Sequence, residues 1–268
     1  MKNNGIIMVF MLFLASAWGC QKEDYTLPAS LSLNMSISKK PVMGGSLVID
    51  EIKIRLNSVD IQGYRETGGD VFMTRPYKNG KSFRIISGAG NESIKFDVPQ
   101  GVYKPLSFSF VFQHDDDEDD LLEDIEEWYQ DVMEGHDDPE ELEEELGSII
   151  DDYIEDIEPS ILILGRYRRH HMNARLILLV NDPMTFRILT KSADGSLEII
   201  LDKEKVNSGN LIFDPSYWFS VINPELMDHA FLGRDHGITY IFLSKYVNSR
   251  IYYEVFNRIE ESTSVIMN

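Results

Sequence analysis

Apolar and polar residues alternate over most of the chain between Leu31 and Phe112. Leu31, Leu33, Met35 and Ile37 form one such run; Ile52, Ile54 and Leu56 form another, whose phase slips before Val59 and Ile61. A period of two sends every second side chain to the same face, so each run predicts a strand with one buried face. The slip predicts a β-bulge, which also bends a long strand. Ile94, Phe96 and Val98 make a further strand, Pro99-Gln100-Gly101 a turn, and Leu106, Phe108, Phe110 and Phe112 the most regular strand of all. Breaks at Gly44-Gly45, Gly68-Gly69, Asn79-Gly80 and Gly88 to Asn91 separate the runs.

The period then changes. Leu121, Leu122, Ile125, Trp128, Tyr129 and Val132 recur at helical spacing up to Gly135. Asp138 and Pro139 have the chemistry of an N-cap and a first helical residue, and Leu142, Leu146, Ile149, Ile150, Tyr153, Ile154 and Ile157 trace a second stripe. These two stripes predict a helical hairpin over about residues 115–158, placed between strands.

Strand patterns return after Pro159, at Ile161 to Leu164, Ala174 to Val180, Thr185 to Leu189 and Leu197 to Leu201, the last two joined by the Ala193-Asp194-Gly195 turn. Pro215 to Ile222 and Pro224 to Leu232 read as short helices and Ile238 to Leu243 as a strand. Ser244 to Ser262 reads as a helix, with Val247, Ile251, Val255 and Ile259 on one face. The expected fold is mainly β: an antiparallel β-sandwich over residues 31–268, interrupted by the acidic helical hairpin and closed by a C-terminal helix. Two separate β domains are the alternative.

Charge sharpens the picture. The formal net charge is -20, but 24 of the 45 acidic residues, and no Lys or Arg, lie between Asp115 and Glu158, leaving 21 acidic against 25 basic residues elsewhere. The body is close to neutral and the insertion carries the field. No nucleic acid is expected as a partner, because phosphate recognition needs a clustered basic face.

The first residues give an address. Lys2, the apolar run Ile6 to Ala15, and the small residues Ser16, Ala17 and Gly19 before Cys20 have the order of a secretory signal. Ten apolar residues are too few to span a bilayer, which takes roughly 20. Cys20 is the only cysteine, so an intramolecular disulfide does not explain it. The segment resembles the bacterial lipobox, which implies a signal peptide over residues 1–19, lipidation of Cys20 and a linker over residues 20–30. Gln21, Lys22, Glu23 and Asp24 look like the export tag of surface lipoproteins of the Bacteroidota. With the Phe96 to Tyr103 turn and the Asn248 to Ser262 segment, this leader resembles uncharacterised Bacteroidota lipoproteins with β-sandwich bodies of fimbrillin-like or transthyretin-like style. The resemblance implies a protein held at the outer membrane through a lipid anchor and exposed at the cell surface; it implies no catalytic residue.

Candidate chemistry is sparse. Asp115, Asp117, Asp119 and Glu126 occupy the first, third, fifth and twelfth positions of an EF-hand-like pattern, an oxygen-rich set suited to calcium, although Asp120 stands where the loop needs glycine. Calcium is the only cofactor the sequence raises. His170-His171 and the repeated Asp228-His229 and Asp235-His236 pairs are weak metal candidates, since adjacent side chains on a strand diverge. Arg166, Arg168 and Arg169 form a basic cluster that either screens the acidic hairpin or meets anionic lipid or polysaccharide. Trp128, Tyr129, Tyr217 and Trp218 are candidate sugar-stacking aromatics against a core reading. No hydrolase elbow, phosphate loop or zinc helix is present. The expected function is therefore a non-enzymatic binding module for a glycan or a surface protein. A structural subunit of a fimbria-like polymer is the alternative, and a hydrolase has the least support.

Overall fold

The computed structural model describes residues 26–89, 92–114, 119–134, 138–153 and 157–268. In chain order, β1 (Pro28–Ile37), β2 (Leu47–Arg65), β3 (Val71–Ile86), β4 (Ser93–Pro99) and β5 (Gly101–Phe112) precede the insertion, whose helices are α1 (Asp119–Glu134) and α2 (Pro139–Tyr153). Then come β6 (Ile161–Arg169), β7 (Met172–Val180), β8 (Met184–Leu189), β9 (Lys191–Ser192), β10 (Ile199–Leu201) and β11 (Asn207–Phe213). After two helical turns at Pro215–Trp218 and Pro224–Asp228 follow β12 (Leu232–Asp235), β13 (Ile238–Leu243), α3 (Ser249–Ser262) and β14 (Ser264–Met267).

β2 organises the large sheet. β3 runs antiparallel along one of its sides; the other side is shared end to end by β5, opposite Leu56 to Arg65, and by β6, opposite Leu47 to Ile54. β5 and β6 are thus two halves of one line, interrupted after Phe112 and resumed at Ile161, and the helical hairpin fills the interruption. The register slip expected in this strand lies between Leu56 and Ser58, and here both neighbours of β2 shift together. The large sheet runs β10-β5-β2-β6-β7-β13-β12, with β3 on β2 and β8 on β5; the small sheet runs β4-β1-β11-β14-β9.

The inward residues of both sheets join in one apolar core: Leu31, Leu33 and Phe96 of the small sheet with Ile52, Phe108 and Leu178 of the large one. Ile251, Tyr252, Val255 and Ile259 of α3 enter the same core. A second core lies on the opposite face of the large sheet. There Leu121, Ile125 and Trp128 of α1 and Leu142, Leu146 and Ile150 of α2 cover Leu162, Ile177, Leu179, Tyr240 and Phe242. The molecule therefore has three layers where the hairpin lies. The unbroken apolar run Leu176 to Val180 follows from this, because β7 is buried on both faces.

Several expectations need correction. The sheets are mixed, since β1–β11, β7–β13 and β9–β14 pair in parallel. The segments around Thr185–Leu189 and Leu197–Leu201 are not paired with each other; β8 and β10 both lie along β5, while β9 between them crosses to the small sheet. Asn79-Gly80 does not divide two strands but belongs to a bulge inside β3, where Tyr77 to Gly80 face only Asn57. The last helix begins at Ser249, and beyond Asp228 the chain forms β12 in place of a longer helix.

The hairpin is seated by one close approach. A Cβ on Gly147 of α2 would lie 2.2 Å from the Arg234 carbonyl oxygen of β12, and Gly233 approaches the same turn of helix. Glu143 pairs with Arg234 at 3.0 Å beside it, so α2 shields the edge strand β12. Alanine is ordinarily about 1 kcal/mol better than glycine in a helix interior, yet Gly147→Ala should lower the melting temperature, because helix and strand must separate. A rise in a thermal melt would refute this packing.

Candidate functional site

The outer face of the large sheet carries a groove beside the hairpin, with a cavity of about 510 Å³ walled by Lys53, Arg84, Arg166 and Arg175. Strand register builds it. Lys53 of β2 stands directly opposite Arg84 of β3, and Arg166 of β6 directly opposite Arg175 of β7. Like charges in facing positions destabilise a sheet, and two such pairs border one groove.

A bulge supplies partial compensation. The β2–β6 register slips between Ile49 and Glu51, so Ile49 and Ile52 both point inward and the residues between them serve the outer face. Asp50 accepts two hydrogen bonds from Arg166, at 2.7 Å and 2.6 Å. Glu51, buried at its base, accepts from Arg84, with Nη2 at 2.8 Å. These hydrogen bonds to the carboxylates, with their charge, hold both guanidinium pKa values above their ordinary value. Each like-charge pair thus has one neutralised member. Lys53 and Arg175 have no acidic partner among the described residues.

Leu164, Ile177 and Tyr240 form an apolar floor. A second hollow of about 310 Å³ continues from Lys53 and Arg84 to Ile157 and Glu158, where the hairpin rejoins the sheet. The result is an elongated trough with two positive charges that have no counter-charge among the described residues. Its strands β2, β6 and β7 are each paired on both sides, which fixes the backbone under the side chains.

Comparison with protein-family models, with curated proteins and with solved structures gives no match to this chain. The site therefore has to be read from its own chemistry.

The residues singled out from the sequence are distributed as follows. Cys20 and the leader lie outside the described residues, as do Asp115 and Asp117. Asp119 opens α1, and the chain from there through Glu126 is helical rather than looped. Glu126 accepts a hydrogen bond from the Tyr246 hydroxyl at 2.8 Å. Among the described residues no group of three or more His, Cys, Asp or Glu side chains is placed to hold a metal ion. His170 and His171 are exposed on the β6–β7 turn, His229 lies against the Glu225 carbonyl oxygen at 2.7 Å, and His236 is paired with Asp235 at 2.5 Å.

The basic cluster is only partly a cluster. Arg166 lines the groove, Arg168 donates to Asn173 at 3.1 Å, and Arg169 pairs with Asp228. Asp228 also accepts from Tyr167 at 2.7 Å; burial, then this carboxylate, pushes the Tyr167 pKa up to about 12. Two of the hairpin's described acids, Glu158 and Glu143, are met by other arginines, Arg55 and Arg234. The two tryptophans side with the core reading, since Trp128 and Trp218 are buried with their indole N–H groups bonded to the Leu142 carbonyl and the Ser262 hydroxyl, whereas Tyr129 is half-buried and Tyr217 exposed. Tyr129 packs on Tyr246, and Arg258 stacks over Tyr217 at 4.0 Å. Lys53, Arg84 and Arg175 went unnoticed in the sequence, because nothing local marks them as facing pairs.

Proposed function

We propose that this chain is an exported, lipid-anchored envelope protein whose body is a non-enzymatic binding module, and that the basic trough receives its anionic ligand. The observation that carries this reading is the pair of half-neutralised like-charge pairs around one groove. They cost the free protein stability, and a bound anion relieves that cost. Positive walls, an apolar floor and a rigid sheet are the usual elements of a pre-formed binding site.

The anchor rests on the leader, and the fold is compatible with it. Seven residues separate Cys20 from β1, a reach of at most about 25 Å. The Leu27 carbonyl accepts from the Gln100 amide at the Gly101 end of β5, near Arg65. Lys53 lies twelve residues back along β2, roughly 40 Å of strand, so the trough stands far from the tether. Strand exchange into a polymer finds less support: the exposed edge strand β3 carries Pro76, Lys78, Lys81 and its own bulge, features that discourage edge pairing.

The anchor is tested by expressing the full chain and its Cys20→Ser variant in a bacterial host and partitioning the membranes with detergent. The native chain is expected in the detergent phase and the variant in the aqueous phase. Equal partitioning of the two would end the lipid-anchor reading.

A further inference from the structure

Resting on the reading of the trough as an anion site, we infer that its ligand is an extended acidic polysaccharide rather than a compact anion or a peptide. The two unmatched cations are separate charges. Lys53 faces Leu162, Leu162 faces Leu179, and Arg175 lies four residues along β7 from Leu179. Two strand spacings across and four residues along place their Cα atoms on the order of 15 Å apart. A single phosphate has its charge at one point, whereas a chain with a charged group on each sugar can bring two of its anions, several sugars apart, to both cations at once.

The shape agrees with the charge. The trough is prolonged beyond Lys53 and Arg84 into the second hollow, which Glu92 and Glu158 also line, so a linear ligand can run into it with neutral, hydroxyl-bearing parts while its anions stay at Lys53 and Arg175. Half-buried Leu164 leaves an apolar patch between the charges, with Ile177 and Tyr240 buried beside it, and the carbon face of a sugar ring can rest on that patch. A peptide is disfavoured by topology. Peptides commonly dock by adding a strand to a free edge, and β2, β6 and β7 present none here. Recognition must come from side chains, with guanidinium groups giving forked hydrogen bonds to carboxylate or sulfate.

The test uses the mature chain in titration calorimetry at low salt. The probes are a galacturonate hexamer, a heparin-derived hexasaccharide, a neutral oligosaccharide of the same length, oligoglutamate and inorganic phosphate. One or both acidic oligosaccharides should bind, weakening as salt screens the contacts, with the neutral sugar, the peptide and phosphate each weaker by about tenfold or more. Lys53→Ala with Arg175→Ala should abolish binding and, because it removes a member of each facing like-charge pair while breaking no described ion pair, should keep or slightly raise the melting temperature; Arg175→Lys should retain part of the binding and leave the melting temperature unchanged. Phosphate or oligoglutamate binding as tightly as the sugars would overturn the polysaccharide and leave the anion site standing. Binding of no anion, or binding unaffected by the double substitution, would overturn both.

Discussion

Replacing residues 115–158 with a short Gly/Ser linker is expected to leave a chain that no longer gives a stable monomer. The insertion resembles a solvated acidic appendage in composition, but its two apolar stripes form most of the cover over Leu162, Ile177, Leu179, Tyr240 and Phe242, with Phe231, Tyr246 and Val247 at the margin. Exposing these side chains costs roughly 1.5–3 kcal/mol each, a total comparable to the roughly 5–15 kcal/mol that holds an ordinary domain together. It also uncovers the edge strand β12, which α2 now shields through Gly147 and Glu143. The shortened chain should bind a hydrophobic dye, elute as aggregates and lose its cooperative melt. A monomer melting at the temperature of the native chain would show the second core to be dispensable. Melting the native chain with and without millimolar calcium beside it separates this structural role from cation binding by Asp115, Asp117, Asp119 and Glu126.

The second large effect is expected at Arg55. This residue stands on β2 where β5 ends and β6 begins; its backbone amide donates to Ser160 at 3.1 Å and its carbonyl accepts from Gln113 at 3.3 Å. The buried guanidinium then closes the junction. It donates to the carbonyls of Gln113 and His114 at the hairpin entrance, at 3.2 and 2.7 Å, to Asn79 of the β3 bulge at 2.7 Å, and to Glu158 at the exit at 3.3 Å. Gly80, at φ +74, makes room: a Cβ there would sit 2.6 Å from the guanidinium carbon.

Arg55→Met keeps the apolar stem but strands three carbonyls and a carboxylate. Breaking a buried, hydrogen-bonded charge in this way costs about 3–5 kcal/mol, a fall in Tm of roughly 10 °C for a chain of this size. Glu158→Gln should cost no more than about 1 kcal/mol, since that carboxylate is half exposed. Comparable losses in the two variants, measured by chemical denaturation, would mean that the ion pair matters more than the carbonyl contacts.

What the sequence determined by itself is whatever depends on local period. The alternation in β1, β4 and β5 marks strands because side chains two apart share a face, and the slip at Leu56–Val59 marks the bulge for the same reason. The stripes of α1 and α2 and the Asp138-Pro139 start mark the hairpin. β11 escaped notice because Asn207 and Gly209 occupy inward positions, and β14 because four residues after a helix hold too little pattern. Only the tertiary structure decided the partners. The run at Leu176 to Val180 is apolar on both faces because its second cover comes from helices that end at Glu134 and Tyr153, a pairing no local window contains. The trough is of the same kind. Lys53 and Arg84 lie 31 residues apart and Arg166 and Arg175 nine, in stretches that read as ordinary strand. Ladder register alone sets them face to face, and the one-residue bulge at Asp50 decides which of the four charges are neutralised, because register is fixed by packing across the whole sheet.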